Sequence, residues 1–344
     1  MKDLWNHLKQ AKKPIVLYGM GNGADKIISV LNKYDIKISG VFASDGFVRQ
    51  KVFHGFNVTD YKTAKNTFGD MIVLVCFGSS LPDVIANIKR IATEQELYAP
   101  DVPVYGDTLF NMDYAIANRM RLENIYNRLA DDTSKKVFEC AVMYKLTGKI
   151  DYLFECETSN DEIYQNILKF SNNEIYFDLG AYRGDTVAEF LSVVDNYNKI
   201  IAVEPDFKTY NKLCLATEDI KNITNINACV SDTDGETAFE MNGSRGSTIG
   251  KGNSVINSVT IDALTQKAIP SYIKMDIEGA ESAAINGGEN TIAKYKVKMQ
   301  IAAYHRSEDL FLIPEKVLCL RDDYKIYLRH FPSLPCWDMS YYFV

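Results

Sequence analysis

The sequence lacks the spacings that would mark a metal-bound or disulfide-bonded scaffold. Its seven cysteines (76, 140, 156, 214, 229, 319 and 336) are scattered, and no two stand as CxxC. Neither a zinc site nor a disulfide framework is therefore expected, only reduced, buried thiols in a cytoplasmic protein. Basic charge is also in deficit: 38 Lys and Arg against 45 Asp and Glu leave a net charge of −7. A nucleic-acid or anionic-membrane partner needs a basic footprint, so neither is expected. No apolar run approaches the ~18 residues that span a bilayer. The opening "MKDLWNHLKQAKKP" is amphipathic and has no apolar centre of a signal peptide. No internal repeat is evident. What remains is an ordinary globular composition, 47% apolar and 24% charged, in 344 residues. That length exceeds what one core usually serves, so two domains are expected.

The chain divides by pattern. In residues 1–106, strand-like runs "PIVLYG", "IKISGVFASD", "DMIVLVCFG" and "DVPVYG" alternate with helical stretches. This predicts a small Rossmann-like parallel sheet of three or four strands. Residues 107–173 show helical spacing and no strand signal, which predicts a packed helical connector that also offers a face for homo-oligomer formation. From 174 to 344 a second alternation begins, with strands "EIYFDLG", "KIIAVEP", "ITNINACVSD", "SYIKMDIEG", "VKMQIAAYH", "YKIYLRHF" and "MSYYFV". A Gly/Ser/Asn-rich stretch, 242–257, interrupts it and reads as a hairpin tip.

Two glycine turns compete for the working ligand. In the second, "FDLGAYRGDT", Asp178 ends a strand, Gly180 and Gly184 frame a turn, and Asp185 and Thr186 start a helix whose N–H groups are free. Glu204 ends the next strand, 20 residues beyond Gly184, where an acid can accept bonds from both ribose hydroxyls. Ser231 and Asp232 end the third. In a doubly wound sheet these strand ends line one crevice, so Asp178, Glu204 and Asp232 are expected to converge. Three carboxylates repel a pyrophosphate but suit a ligand with hydroxyls, an amino group and an adenine amine. That favours S-adenosylmethionine over NAD. Further on, "YIKMDIEGAE" places Asp276 at a strand end, and "AAYHRSED" places His305 at the tip of the next. Glu281 reads as an ordinary acid in a first helical turn.

Together "FDLGAYRGDT", "VEPD", "CVSDTDG", "VTIDAL", "IKMDIEGAE" and "YHRSEDLFLIP" resemble the FkbM-type methyltransferases, in family order over residues 174–344. The resemblance implies a class I methyltransferase fold, seven-stranded with β7 antiparallel, and S-adenosylmethionine as cofactor. It implies that Asp178, Gly180, Ala181, Gly184 and Thr186 hold the methionine half, that Glu204 binds the ribose, and that Ser231 and Asp232 sit by the adenine. Phe207 would stack on the ring or, as the plainer reading, fill the core. The expected activity is O-methylation of a saccharide, glycan or secondary metabolite, with N-methylation of an amino sugar or amino-acid-bearing glycan as the alternative.

Methyl transfer from a sulfonium is an in-line displacement, and an aliphatic hydroxyl is helped by a base. His305 is the expected catalytic base, with Asp276 orienting it or the acceptor. A metal shared by Asp276 and Glu278 is the less favoured alternative, and no metal is expected.

The first turn, "VLYGMGNGADK", satisfies G-x-G-x-x-A with Gly19, Gly21 and Ala24, and Asp45 follows 21 residues after Ala24. Read literally it is an NAD-dependent oxidoreductase turn. With "GVFASD" and "HGFNV" it resembles more loosely the Rossmann-like domains that precede sugar O-acyltransferases, which implies nucleotide-sugar handling. A non-catalytic nucleotide-sugar-binding protein is the remaining reading.

Overall fold

The computed structural model describes residues 2–44, 46, 48, 52–240, 248–249 and 254–344, so Asp45 and most of the 242–257 stretch lie outside the described residues. The N-terminal strands are β1 (Ile15–Tyr18), β2 (Gly40–Phe42), β3 (Val52–Phe53), β4 (Phe56–Thr59), β5 (Ile72–Val75) and β6 (Glu96–Tyr98). They form a six-stranded sheet in the order β3-β4-β2-β1-β5-β6, parallel except for the β3–β4 hairpin. This corrects the expectation of three or four strands. "DVPVYG" is not a strand. Pro100 and Pro103 withhold the N–H groups a ladder needs, and the preceding "ELY" pairs with β5 instead.

Residues 112–168 are helical, the longest helix being Asp132–Thr147, and the stretch ends in a π-helical segment, Ile163–Leu168. One buried cation fastens it to the sheet that follows. The Arg329 guanidinium lies 2.7 Å from both Asp131 and Glu162, with no exposed side-chain surface. A buried arginine keeps its charge only when carboxylates meet it, so this pairing fixes the helices against one sheet edge.

The second half begins with β7 (Glu174–Leu179) and β8 (Tyr197–Val203), followed by β9 (Ile223–Ile226). The run read as one third strand breaks here, because β10 (Cys229–Val230) leaves the main sheet. It pairs with β13 (Ser254–Val259), which with β11 (Gly235–Glu240) and β12 (Thr248–Ile249) makes a four-stranded sheet. The main sheet continues with β14 (Tyr272–Met275), β15 (Lys298–Ala302), β16 (Ile326–His330) and β17 (Met339–Phe343). Its order is β16-β17-β15-β14-β7-β8-β9, and only β17 runs antiparallel to its neighbours. The expected seven-stranded α/β architecture, last strand reversed, is what the chain adopts.

The central strands β7 and β14 are buried almost along their whole length, as parallel strands covered on both faces must be. No described helix is long and apolar enough to cross a membrane.

Candidate active site

The crevice at the carboxyl ends of β7, β8 and β14 is built on a close backbone approach. Gly180 has φ +84°, and a Cβ there would stand 2.0 Å from the carbonyl oxygen of Asp276. Only glycine lets the turn after β7 lie this near the turn after β14. Gly180 and Ala181 both donate their N–H groups to the Val203 carbonyl, which ties the same turn to β8. Gly184, at φ +88°, begins the helix Asp185–Val193. Two non-glycine residues are also held left-handed at these turns, Tyr182 at φ +47° and Glu278 at φ +54°. Such conformations persist only where the surroundings enforce them, and they mark the turns that face the crevice.

Asp178 is fully buried. Its Oδ2 accepts from the Thr186 hydroxyl at 2.5 Å, and its Oδ1 lies 3.6 Å from Lys274 Nζ. Burial pushes the Asp178 carboxyl up. Burial also opposes the charge on Lys274, but Asp178, Asp276 and Asp185 outweigh it and hold the lysine charged. Asp178 and Thr186 thus brace the turn from beneath, while Asp178 Oδ1 has no hydrogen-bond partner among the described residues.

Glu204 is 7% exposed. It accepts from the Tyr182 amide at 3.0 Å and from the Asp206 amide at 2.9 Å. Burial nonetheless pushes its carboxyl up to about 7. Ser231 and the exposed Asp232 follow β10, with the Ser231 hydroxyl 3.3 Å from Asp232 Oδ1. Of the three carboxylates expected to converge, then, one is locked inside, one is half committed to amides, and one is on the surface. Phe207 corrects another expectation. It is 58% exposed and not in the core, so an aromatic face stands open three residues after Glu204.

The turns after β14 and β15 meet as expected, but in different roles. His305 has no exposed surface. Its Nδ1 lies 2.9 Å from Glu281 Oε1, and its Nε2 lies 3.4 Å from Asp276 Oδ1 and 3.7 Å from Glu278. Burial alone would lower the imidazole, but Glu281, Asp276 and Glu278 outweigh it and raise the group to about 10. An imidazole raised in this way is a weak proton acceptor at neutral pH, and its burial keeps it off the cavity lining. Asp276, by contrast, has a side chain that is 35% exposed and lines a cavity of about 530 Å³. Tyr304 donates to Asp276 Oδ1 at 3.0 Å and fixes the carboxylate. Glu281, read from the sequence as a helix-end acid, is instead 1% exposed and accepts from the Ile277 amide at 2.9 Å.

The cavity runs over the face of β14, β15 and β17. The helical segment walls it with Asp161 and Tyr164, the helix Asp185–Val193 with Glu189, the turns after β14 and β15 with Asp276 and Tyr304, and the last hairpin with Phe331 and Asp338. Lys274 is the one basic residue in its lining.

Lys274, Tyr304 and the cavity walls were not singled out from the sequence. A lysine inside an otherwise apolar buried strand, "YIKM", was the signal available for Lys274.

The first glycine turn is largely explained by packing. A Cβ on Gly19 would meet the Phe77 ring at 2.6 Å, and one on Gly23 the Cys76 carbonyl at 2.3 Å. The loop beside it is clamped by the C-terminal half: Ser79 and Leu334 exchange two backbone hydrogen bonds, and a Cβ on Gly78 would strike the Trp337 ring at 2.0 Å. Lys26, in the helix that follows the turn, donates to the carbonyls of Pro103 and Val104. The adjoining Tyr105 in turn receives Gly279 and the Arg306 guanidinium against its ring and donates its amide to the His305 carbonyl. The N-terminal unit therefore buttresses the Asp276–His305 turns.

Comparison with known proteins follows this geometry. The family model described as the Methyltransferase FkbM domain matches residues 178–315. A search of curated proteins finds no significant match. The crystal structure of an FkbM methyltransferase from Methylobacillus flagellatus KT is similar over 96% of this chain and 90% of that one, with 22% identity and a TM-score of 0.73. That similarity extends through both halves and shows a shared fold. A precorrin-6y C5,15-methyltransferase from Geobacter metallireducens GS-15 matches over 51% of this chain and 81% of its own, at 12% identity and a TM-score of 0.34. Fibrillarin from Aeropyrum pernix, solved with natively bound S-adenosyl-L-methionine, matches over 51% of this chain and 67% of its own, at 14% identity and a TM-score of 0.32.

Proposed function

Because residues 178–315 make up an FkbM methyltransferase domain, we propose that the protein transfers a methyl group from S-adenosylmethionine to a hydroxyl of a saccharide or similar polyol. The crevice supports the donor. Gly180 and Gly184 shape the turn for the methionine half, Glu204 faces the ribose, and Ser231 and Asp232 flank the adenine. The exposed Phe207 ring offers a stacking surface.

The acceptor reading rests on one observation, the lining of the cavity. Asp161, Glu189, Asp276 and Asp338 accept hydrogen bonds, while Tyr164 and Phe331 present flat apolar faces. Carboxylates that take hydroxyl protons, set beside rings that cover C–H surfaces, suit a sugar better than an apolar metabolite. In the transfer, the acceptor oxygen forms a bond to the methyl carbon as the carbon–sulfur bond breaks. The electron pair stays on sulfur, leaving S-adenosylhomocysteine, and the hydroxyl proton passes to Asp276. His305 does not touch the acceptor and acts through Asp276 as a positioning residue. The cavity walls hold the acceptor in line and keep water out.

The test is incubation of the full chain with methyl-labelled S-adenosylmethionine and a panel of mono- and oligosaccharides. Label in an ether linkage supports the proposal. Label on nitrogen favours the amine reading, to which the acidic lining is also suited, and no label on any saccharide counts against both.

Glu204 gives the donor site a pH signature. A carboxylate accepts from two ribose hydroxyls better than a carboxylic acid does. With its pKa raised to about 7, the binding-competent form is lost as pH falls through 7. Affinity for S-adenosylhomocysteine is expected to drop about tenfold between pH 8 and pH 6, and Glu204→Gln is expected to flatten that profile. Calorimetric titration at the two pH values reads both. The same shift makes Glu204 favour the folded state most below its unfolded pKa, with that contribution lost as pH rises through about 7.

The N-terminal glycine turn is assigned no ligand in this reading, because the Phe77 ring and the Cys76 carbonyl account for Gly19 and Gly23.

A further inference from the structure

Behind Asp276 lies a buried group whose charges and atoms are not fully accounted for. One donor atom each from Asp276, Glu281 and His305 lies within 4.8 Å of the others. Glu281 and His305 are each 1% exposed at the side chain. The distances from His305 to Glu281 and Asp276 are those of ion pairs, yet neither ring nitrogen has a hydrogen-bond partner among the described residues. The carboxylates stand close to the ring but off the N–H directions. Glu281 Oε2 is likewise buried without a partner. Buried polar atoms are nearly always satisfied, and orphaned atoms on two adjoining buried side chains indicate a missing species. The local charge says which kind. Asp276, Glu278 and Glu281 face a single imidazole, with Lys274 and Lys26 acting on Asp276 and Glu278 from farther off, and carboxylates set around one imidazole attract a cation.

We propose that a divalent cation binds between Asp276, Glu281 and His305. Two carboxylate oxygens and an imidazole nitrogen suit Mn²⁺, Fe²⁺ or Zn²⁺ better than Ca²⁺. Ligand distances of about 2.0–2.2 Å require the three donors to draw in only slightly. Glu281 and His305 lie behind the cavity wall, and Asp276 is the member of the set that lines the cavity. The open coordination positions of the ion therefore face the acceptor space, where an oxygen of the bound molecule can occupy one; with the ion bound, Asp276 is a ligand and the acceptor proton passes instead to another carboxylate of the lining, Asp161, Glu189 or Asp338. The binding claim itself does not depend on the acceptor or on the methyl donor.

The experiment uses the full chain after treatment with a chelator and dialysis. Manganese(II) chloride is titrated in while the paramagnetic resonance signal of the free ion is followed, and circular dichroism confirms folding of each variant. One Mn²⁺ per chain, bound saturably, is expected, and Asp276→Asn is expected to weaken it at least about tenfold. His305→Gln, which removes the nitrogen ligand, is expected to do the same. If His305→Gln fails to fold, Asp276→Asn decides alone, because its side chain is partly exposed and the swap is nearly isosteric. The absence of saturable binding, or parental binding in a folded Asp276→Asn, overturns the proposal. In that case the His305 imidazolium, with Lys26 and Lys274, offsets the carboxylates.

Discussion

Asp276→Asn is expected to lower kcat by about 10²–10⁴-fold while leaving the affinity for S-adenosylmethionine within a factor of a few. Asp276 reaches the acceptor cavity with its carboxylate set by Tyr304 at 3.0 Å. The amide keeps the shape and the hydrogen bond from Tyr304 but cannot take a proton from an attacking hydroxyl. Because donor binding depends on the turns after β7 and β8, the loss should fall on turnover alone. Single-turnover rates with labelled donor, alongside calorimetric donor binding, separate the two. A variant that turns over at the parental rate would place the proton acceptor elsewhere on the cavity wall, with Asp161, Glu189 and Asp338 next in line.

Gly180→Ala is expected to cost about 3 kcal/mol of stability and to abolish measurable donor binding. The new methyl would stand 2.0 Å from the Asp276 carbonyl oxygen and 2.9 Å from its carbon. These are backbone atoms in the middle of the sheet, so they cannot swing aside as a side-chain tip does. The φ of +84° adds strain of its own. Relief requires the turns after β7 and β14 to part, which displaces both the donor turn and Asp276. Gly21→Ala is the matched control. It shares a positive φ of +103° but has nothing within 4 Å of the added Cβ, so it bears the backbone strain without the collision. Thermal unfolding of both variants should show the larger fall in Tm for Gly180→Ala. Equal falls would mean that the close approach at Gly180 is not what shapes the site.

Much of this architecture is legible in the sequence because parallel strands buried on both faces read as continuous apolar runs. "EIYFDL" and "IIAV" could hardly be anything else, and the strand-end positions of Asp178 and Glu204 follow from them. What the sequence hides is where each side chain turns once the strand ends. Asp178 stands opposite Ala202 inside its strand and meets Thr186 and Lys274 beneath the turn, while Glu204 follows the end of the next strand and meets the Tyr182 amide. Glu281 has the spacing of a helix-end acid, and only the packing of His305 against it gives it a different task. The burial of His305 reverses the role its residue type suggests. An exposed phenylalanine such as Phe207 cannot be told from a core one by its neighbours in the chain. In the N-terminal half, the paired strands Val52–Phe53 and Phe56–Thr59 are too short for periodicity to show, and "DVPVYG" carries strand-like residues whose prolines forbid the ladder.

Both glycine turns fit a nucleotide pattern, so the account stands or falls on which of them binds. Calorimetric titration of the full chain at pH 8 with S-adenosylhomocysteine and, separately, with NAD tests this directly. One S-adenosylhomocysteine per chain is predicted, with binding lost in Gly180→Ala and kept in Gly21→Ala, and no heat is predicted from NAD. Saturable binding of NAD that Gly21→Ala removes, with no response to S-adenosylhomocysteine, would contradict it.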